Sequence, residues 1–419
     1  VKRIAVIGSG ISGLSAAYYL SRAHAVHVFE CDQRLGGHTN TVTVESERGP
    51  LHIDTGFIVH NERTYPNFCR LIRELGVATQ PSDMSFAVTG HDGGFEYSSN
   101  GLRGFFAQGS NWISPRHFGL LGEILRFNRE APRLLEDPHA SETTLAEFLD
   151  AGRYSQTFID RYLIPMAGAV WSMAPEVMPG FPALTLIRFM RNHGMLGIKT
   201  HPQWLAIRGG SRSYLDPLTA PFRQRIHRNA SIRSVARFER GVTLEFRGRP
   251  PLEFDEVVFA CHGDQILPLL ADPSDSERTI LGAFTTSRND TCLHTDSALL
   301  PKRAAARASW NYLLGDSGKV TVTYHMNRLQ SLSAEEDYCV TLNTDGAIRP
   351  GRVLRRMLYE HPLYTRAAIR AQGRWSEISG RNHTHFCGAY WFYGFHEDGV
   401  VSGIRVAEAL GVSCGAIPR

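Results

Sequence analysis

A two-domain α/β fold is what this sequence predicts, and three observations carry the prediction. The chain opens with a β-branched apolar run, a glycine-rich turn, a helix-patterned stretch and a second apolar run. Residues 115–173 place apolar side chains at helical spacing, whereas 225–260 and 308–344 alternate in short strand-like runs. At 419 residues the chain also exceeds what one small core organises, so two domains or one two-lobed unit follow.

The first element is the strand Ile4 to Ile7, whose apolar run suits a strand buried on both faces. Gly8, Gly10 and Gly13 then form G-x-G-x-x-G, and Leu14 to Leu20 reads as the helix packed on that strand. Gly8 permits the tight turn, Gly10 leaves room for a pyrophosphate, and Gly13 lets helix and strand approach. Free N–H groups at the helix start attract the phosphates. The second strand, Ala25 to Phe29, ends at Glu30, an acid placed to accept hydrogen bonds from ribose hydroxyls. With strand, helix and acid in place, this is a Rossmann-like dinucleotide site, and Gly8, Gly10, Ser12, Gly13 and Glu30 are its candidate binding residues.

Composition narrows the class. The apolar fraction is 42% and the formal charge +4, which does not argue for nucleic acid. No run of about 18 apolar residues reads as a membrane-spanning helix. Glycines interrupt the N-terminal apolar run, so it reads as fold and not as a signal peptide. Seven scattered cysteines with no Cys/His metal spacing predict free thiols, no metal site and a cytoplasmic protein. Two basic stretches, "PKRAAARASW" and "RPGRVLRRMLYE", are either solvated faces or a peripheral contact with the anionic inner face of a membrane.

After the first motif comes "CDQRLGGHTNTV", which resembles the R-x-G-G-[RH]-x-x-[ST] pattern of the flavin amine oxidase and desaturase superfamily. "HIDTGFIVHN" resembles that superfamily's D-x-G step. The resemblance implies FAD, bound non-covalently, and an amine-oxidase-like architecture. It is a discontinuous FAD-binding domain of residues 1–75, 200–270 and 375–412 with an α+β substrate domain of 76–199 and 271–374. It adds Arg34, Gly36, Gly37, His38, Thr39, Asp54, Thr55 and Gly56 to the cofactor candidates, with Arg34 reaching a phosphate or ribose. It also implies that Ile232 passes the adenine through its backbone and that a strand from Val257 to Ala260 returns to the FAD. The segment "WLAIRGGSRSYLDPL" would return the chain from the substrate lobe to the flavin.

The last FAD segment of the superfamily is a strand ending in Gly, a loop, and a helix pointed at the flavin. "THFCGAYWFYGFHEDGVVSGIRVAEAL" fits, with Gly388 ending the strand and Asp398, Gly399 and Val400 at the helix start. One acid of Glu397–Asp398 would cap this helix and the other bind ribityl hydroxyls. Tyr390, Trp391, Tyr393, Phe395 and His396 either wall an apolar flavin pocket or fill core.

Across the whole chain, "LGGHTNTV", "DTGFIVHNERTYPNF", "SDMSFAV", "TYHMNRLQ" and "CGAYWFYGFHEDG" resemble one branch of FAD oxidoreductases. It is the branch like the flavoprotein region of plant cyclopropane fatty acid synthases and its free-standing bacterial relatives. That resemblance implies a lipid or other apolar substrate, a phospholipid acyl chain desaturated by hydride transfer, and a lipid methyltransferase as partner. His325, Tyr324, His396 and Glu397 are the candidate bases. A flavin amine oxidase, and a non-catalytic flavin-binding accessory to a methyltransferase, are the alternatives.

Overall fold

The computed structural model describes residues 1–415 except 91–93, 138–139, 198–201, 316–319 and 345, so the expected domain boundary at 199/200 lies outside the described residues. A five-stranded parallel sheet runs Ile226–His227, Ala25–Phe29, Arg3–Ile7, Glu256–Phe259, Thr384–Phe386 in spatial order. Its strands come from three distant parts of the chain. The helix Ile11–Leu20 packs against it, His396–Ala409 packs on that helix, and a three-stranded antiparallel meander, 232–254, is inserted before its fourth strand. Ile4, Val6, Val26, Val28, Val257 and Val258 are fully buried. Sheet faces covered on both sides demand such unbroken apolar runs.

A seven-stranded mixed sheet forms the second lobe. Its spatial order is Val353–Pro362, Thr286–His294, Cys339–Leu342, Thr321–His325, Trp310–Leu314, Phe86–Gly90, Glu96–Ser98. All pairs are antiparallel except Phe86–Gly90 with Trp310–Leu314. The helices between residues 115 and 192 pack on one face, where Val88, Tyr97, Tyr312 and Val322 join Phe127, Phe158, Leu163 and Met190 in one buried cluster. Pro165 lies in the first turn of the helix Ile164–Trp171. The chain is already helical before it, through the π-helical turn Ile159–Leu163, so the proline is carried inside a continuous helical run beside that widened turn.

The two lobes are stitched by small sheets and by the C-terminal helix. Val59–His60 and Thr79–Ser82 both pair with Trp204–Ile207. The helix His396–Ala409 crosses Ile11–Leu20 backbone to backbone: a Cβ on Gly403 would stand 2.7 Å from the Ser12 carbonyl oxygen. This helix begins three residues earlier than the Gly399 start read from the sequence, which moves Glu397 and Asp398 into its first turn.

Candidate active site

The carboxyl ends of the parallel strands meet the starts of both long helices, the place where open α/β sheets bind ligands. Gly10 is the N-cap of Ile11–Leu20 and supplies no side-chain cap, so the first N–H groups of this helix face outward for an anion. A Cβ on Gly10 would meet no protein atom within 4 Å, whereas one on Gly13 would lie 2.1 Å from the Gly8 carbonyl oxygen. Gly13 therefore closes helix onto strand, and Gly10 keeps the approach to the helix start open. Gly8 turns at φ +108° against the backbone of Ala260, whose N–H donates to the Ile7 carbonyl at 2.8 Å.

The second glycine loop abuts the first. Gly36 N–H donates to the Ser9 carbonyl at 3.0 Å, and a Cβ on Gly37 would be 3.2 Å from Gly10 Cα. Arg34, expected to reach a phosphate or ribose, instead donates to the carbonyls of Gly37 (2.7 Å), Thr39 (2.9 Å) and Leu35 (3.2 Å), holding its own loop in shape. Glu30 is buried; it accepts from the Ser9 N–H at 3.0 Å and the Asp32 N–H at 2.9 Å. Ile232 begins the meander two residues after Ala230, which bonds to the Glu30 carbonyl, and its own N–H is taken by Ala230. Glu30, Cys31 and Asp32 bring three ligand-type atoms together, yet burial and the adjacent Glu30 push the Cys31 thiol up to about 12. That keeps it an S–H donor to Glu30 at 3.2 Å.

Beyond the glycine loops lies a polar junction between the lobes. Asp54 is fully buried and accepts from Thr41 Oγ1 (2.6 Å), Ser211 N–H (2.8 Å), Ser211 Oγ (2.8 Å) and Gln330 Nε2 (3.1 Å). Burial raises its carboxyl to about 7 against the hydrogen bonds of Thr41 and Ser211, which lower it. Asp54 thus ties the cofactor loops to the segment after Gly209–Gly210 and to the substrate lobe. Thr55 Oγ1 meets the Tyr359 hydroxyl at 2.8 Å, and Asn40 Nδ2 donates to that hydroxyl at 2.8 Å. A Cβ on Gly56 would strike the His38 carbonyl oxygen at 2.2 Å. The His38 ring stacks on Tyr359 at 5.0 Å and lies 5.3 Å from His361, and burial with these neighbours holds it neutral.

The C-terminal segment corrects several expectations. Glu397 does not face a reacting group: its carboxylate accepts from Asn67 N–H (3.1 Å), Asn67 Nδ2 (2.8 Å) and Phe68 N–H (2.7 Å), at the start of the helix Pro66–Glu74. That helix has no side-chain cap from its own N-cap residue Tyr65, so the acid supplies it from another element. Of the two acids, Asp398 is the one that caps its own helix: it accepts from the Phe395 N–H at 2.8 Å. His396, a candidate base, is buried as a bridge. Its Nε2 lies 3.1 Å from Thr39 Oγ1 and 3.0 Å from the Tyr214 hydroxyl, and its ring stacks on Phe57 at 3.5 Å. Burial lowers it to about 3. Val400 is buried, and Gly399 packs on Ile11 and Ser12. Tyr390 and Trp391 are core: both pack on Phe284, and Tyr390 fills the space beside Gly388. Phe395 reaches the helical lobe, stacking on Phe189 at 5.1 Å, and the Tyr393 carbonyl accepts from Trp171 Nε1 of that lobe at 3.2 Å.

Tyr324 and His325 are neighbours on one strand, so their side chains leave on opposite faces. Tyr324 shares a face with Trp310 (ring centroids 4.9 Å), Phe86, Val340 and Leu293, toward the helical lobe. His325, expected as a base beside it, turns to the other face, where Nε2 meets Asp337 at 3.0 Å. The inner face continues through Met357, Tyr359 and His361 on the edge strand and Asn289 opposite, which donates to His361 Nδ1 when that atom is unprotonated (2.9 Å). These residues were not singled out from the sequence. Their signal is the alternation in "MLYEH", which puts Met357, Tyr359 and His361 on one side.

The outward helix start, the open side of Gly10 and the abutting glycine loops fit a dinucleotide pyrophosphate, and the adjacent Glu30 fits its ribose. Residues 11–346 match the family described as flavin containing amine oxidoreductase. Among curated relatives, the L-amino-acid oxidase of Sistrurus catenatus edwardsii is 43% identical over 58 residues, a local match of 13% of this chain and only 11% of that protein. Among solved structures, wild-type putrescine oxidase bound to putrescine superposes with a TM-score of 0.70 at 15% identity, covering 98% of both chains. A fatty acid isomerase from P. acnes that produces CLA superposes at 0.64 and 16% identity, covering 98% of this chain and 99% of that one. The fold is that of these enzymes, the cofactor is FAD, and the chain belongs to the flavin containing amine oxidoreductase family.

Proposed function

We propose that this flavin oxidoreductase dehydrogenates an apolar substrate, a fatty acyl chain carried by a phospholipid. The observation that supports this reading is the inner face of the seven-stranded sheet. Phe86, Trp310, Tyr324 and Met357 are half-buried along it, and no carboxylate among its described strand residues is placed to receive an ammonium group. An uncharged chain loses little hydration on such a surface, whereas a cationic amine would leave water unpaired. FAD, when bound, supplies a two-electron acceptor for the hydride. The chain's own part is to position a C–H bond and keep water out. The Tyr359 hydroxyl is fixed by Asn40 and Thr55 at the inner end of this face, and Tyr324 stays protonated because burial raises its phenol. The P. acnes isomerase supports the reading only to the extent that a protein of this fold is named for a fatty acid.

A second reading, oxidation of a neutral amine, is favoured by the family match. Of the chain's four lysines, Lys2 pairs with Glu256 and Lys302 follows Pro301 beside Glu96, both away from this face; Lys199 and Lys319 lie outside the described residues. Anaerobic mixing separates the readings. The FAD-loaded protein is mixed with detergent-dispersed phospholipids bearing unsaturated chains, and separately with amines. Bleaching by lipid, with a product lighter by one H2, supports acyl dehydrogenation. Bleaching by amines alone transfers the protein to amine oxidation, and bleaching by neither favours an accessory role.

A further inference from the structure

The segment Gly101–Glu130 carries an exposed apolar surface that neither the fold nor the flavin site uses. Leu102 is 66% exposed, Trp112 55%, Ile113 84%, Phe118 48% and Leu125 46%. They are not scattered. Phe106, itself buried, stacks on Trp112 at 4.2 Å and lies 5.2 Å from Phe118. Leu125 follows Phe118 by seven residues on the helix Pro115–Glu130, hence on the same side. A contiguous patch of large apolar side chains on a folded protein marks a contact surface.

Cations rim it. Arg103 and Arg116 are exposed within the segment and enter no ion pair among the described residues. The basic stretch "PKRAAAR" lies alongside, because Ser98 Oγ donates to the Ala305 carbonyl and Asn100 Nδ2 to the Arg307 carbonyl. That brings exposed Lys302 to the same side. The acids of the helix are engaged: Glu123 holds the Ser155 N–H at 2.8 Å, and Glu130 is 3.4 Å from Arg129.

We propose that this surface docks the protein on an anionic phospholipid bilayer, with Trp112, Ile113 and Phe118 seated among the acyl chains and Arg103, Arg116 and Lys302 at the headgroups. Trp and Phe beside Arg and Lys is the side-chain arrangement of interfacial segments. The charge complement selects a bilayer over an apolar protein partner. The buried cluster that includes Phe106 also reaches Tyr312 and Val322, with Trp310 and Tyr324 packed against it. An acyl substrate would thus be drawn from the membrane the protein sits on. That last link rests on the proposed function; the docking itself does not.

Flotation of the FAD-loaded protein with vesicles tests it, without reference to turnover. The wild type is expected to float with phosphatidylglycerol-containing vesicles and less with pure phosphatidylcholine. The variant Trp112→Ser with Ile113→Ser is expected to bind about tenfold more weakly or worse, and Arg116→Glu to lose most of the preference for anionic lipid. Flavin absorbance and circular dichroism certify that each variant is folded. A wild type that stays unbound, or variants that float as well as it does, would overturn the proposal. So would lipid-independent self-association abolished by the Trp112→Ser, Ile113→Ser change, since the patch would then be a protein interface. Failure of lipid to reduce the flavin in detergent would sink the acyl reading while leaving the docking result intact.

Discussion

Glu397 offers the sharpest test of how the C-terminal segment works, because one carboxylate has been given two incompatible jobs. Sequence reading places it among the candidate bases. The structure shows it capping a distant helix through Asn67, 330 residues earlier in the chain. Replacing it with Ala leaves the N–H groups of Asn67 and Phe68 and the Asn67 amide without their acceptor, in a position fully shielded from water. Each buried donor left unsatisfied costs roughly 1–3 kcal/mol. Part of this relaxes away, so the variant should lose roughly 3–5 kcal/mol. Unfolding entropy of about 2.1 cal/mol/K per residue over 419 residues makes that a fall in Tm of roughly 3–6 °C. Glu397→Gln keeps one acceptor oxygen but turns an amide donor toward N–H groups, so it should lose about 1–3 kcal/mol.

The assay pairs a thermal melt of the FAD-loaded protein with the rate of flavin reduction by whichever substrate bleaches it. The cap predicts a graded loss of Tm, Ala beyond Gln, with the reduction rate of the surviving folded enzyme within about threefold of wild type. A Glu397→Gln protein that melts like wild type but reduces its flavin a hundredfold more slowly would refute the capping argument and restore the acid to the chemistry.

Three further outcomes follow from the site. Asp54 has its carboxyl raised from an ordinary 3.8 to about 7 by burial, so its contribution to stability is complete below about pH 4 and is lost as pH rises through about 7. Urea melts across that range should show this limb in wild type and a flattened one in Asp54→Asn. Gly10→Ala should fold yet purify with weakened flavin absorbance, since its Cβ meets no protein atom within 4 Å and stands in the approach to the helix start; Gly13→Ala should fail to fold, because its Cβ would strike the Gly8 carbonyl. His325→Ala should cost on the order of 1 kcal/mol through its half-buried pair with Asp337 and leave flavin reduction unchanged, whereas Tyr324→Ala should slow it, as a stopped-flow comparison would show.

What could be read from the sequence was local. Gly8, Gly10, Gly13 and Glu30 act through the turn and strand they sit on, and a turn's geometry is written in consecutive residues. The parallel strands at 3–7, 25–29 and 256–259 were legible because burial on both faces leaves an apolar run. What escaped depends on pairs made across the fold. Nothing near Asn67 signals that its N–H will meet Glu397, and nothing near Asp54 signals Ser211 or Gln330. Tyr324 and His325 stand together as candidate bases in the sequence, although the two-residue period of a strand allows only one of them on a given face. The same period, applied to Met357, Tyr359 and His361, would have put all three on one side.

The crowd of rings and acids before the last helix is therefore an assembly device. Glu397 grips Pro66–Glu74, Asp398 sets the helix start, His396 bridges Thr39 and Tyr214, and Phe395 reaches the helical lobe. Glu397, His396 and Phe395 each tie a different part of the chain to the helix that lies against the dinucleotide turn, and Asp398 fixes where that helix begins. A segment so engaged has little freedom left for proton transfer: His396 is held neutral by burial, and Glu397 cannot turn away without releasing three donors. On the proposed reading, selectivity rests with the sheet face of Trp310, Tyr324, Met357 and Tyr359. Substitutions there should change which substrate bleaches the flavin, while those around His396 and Glu397 should change whether the protein holds together to bind it.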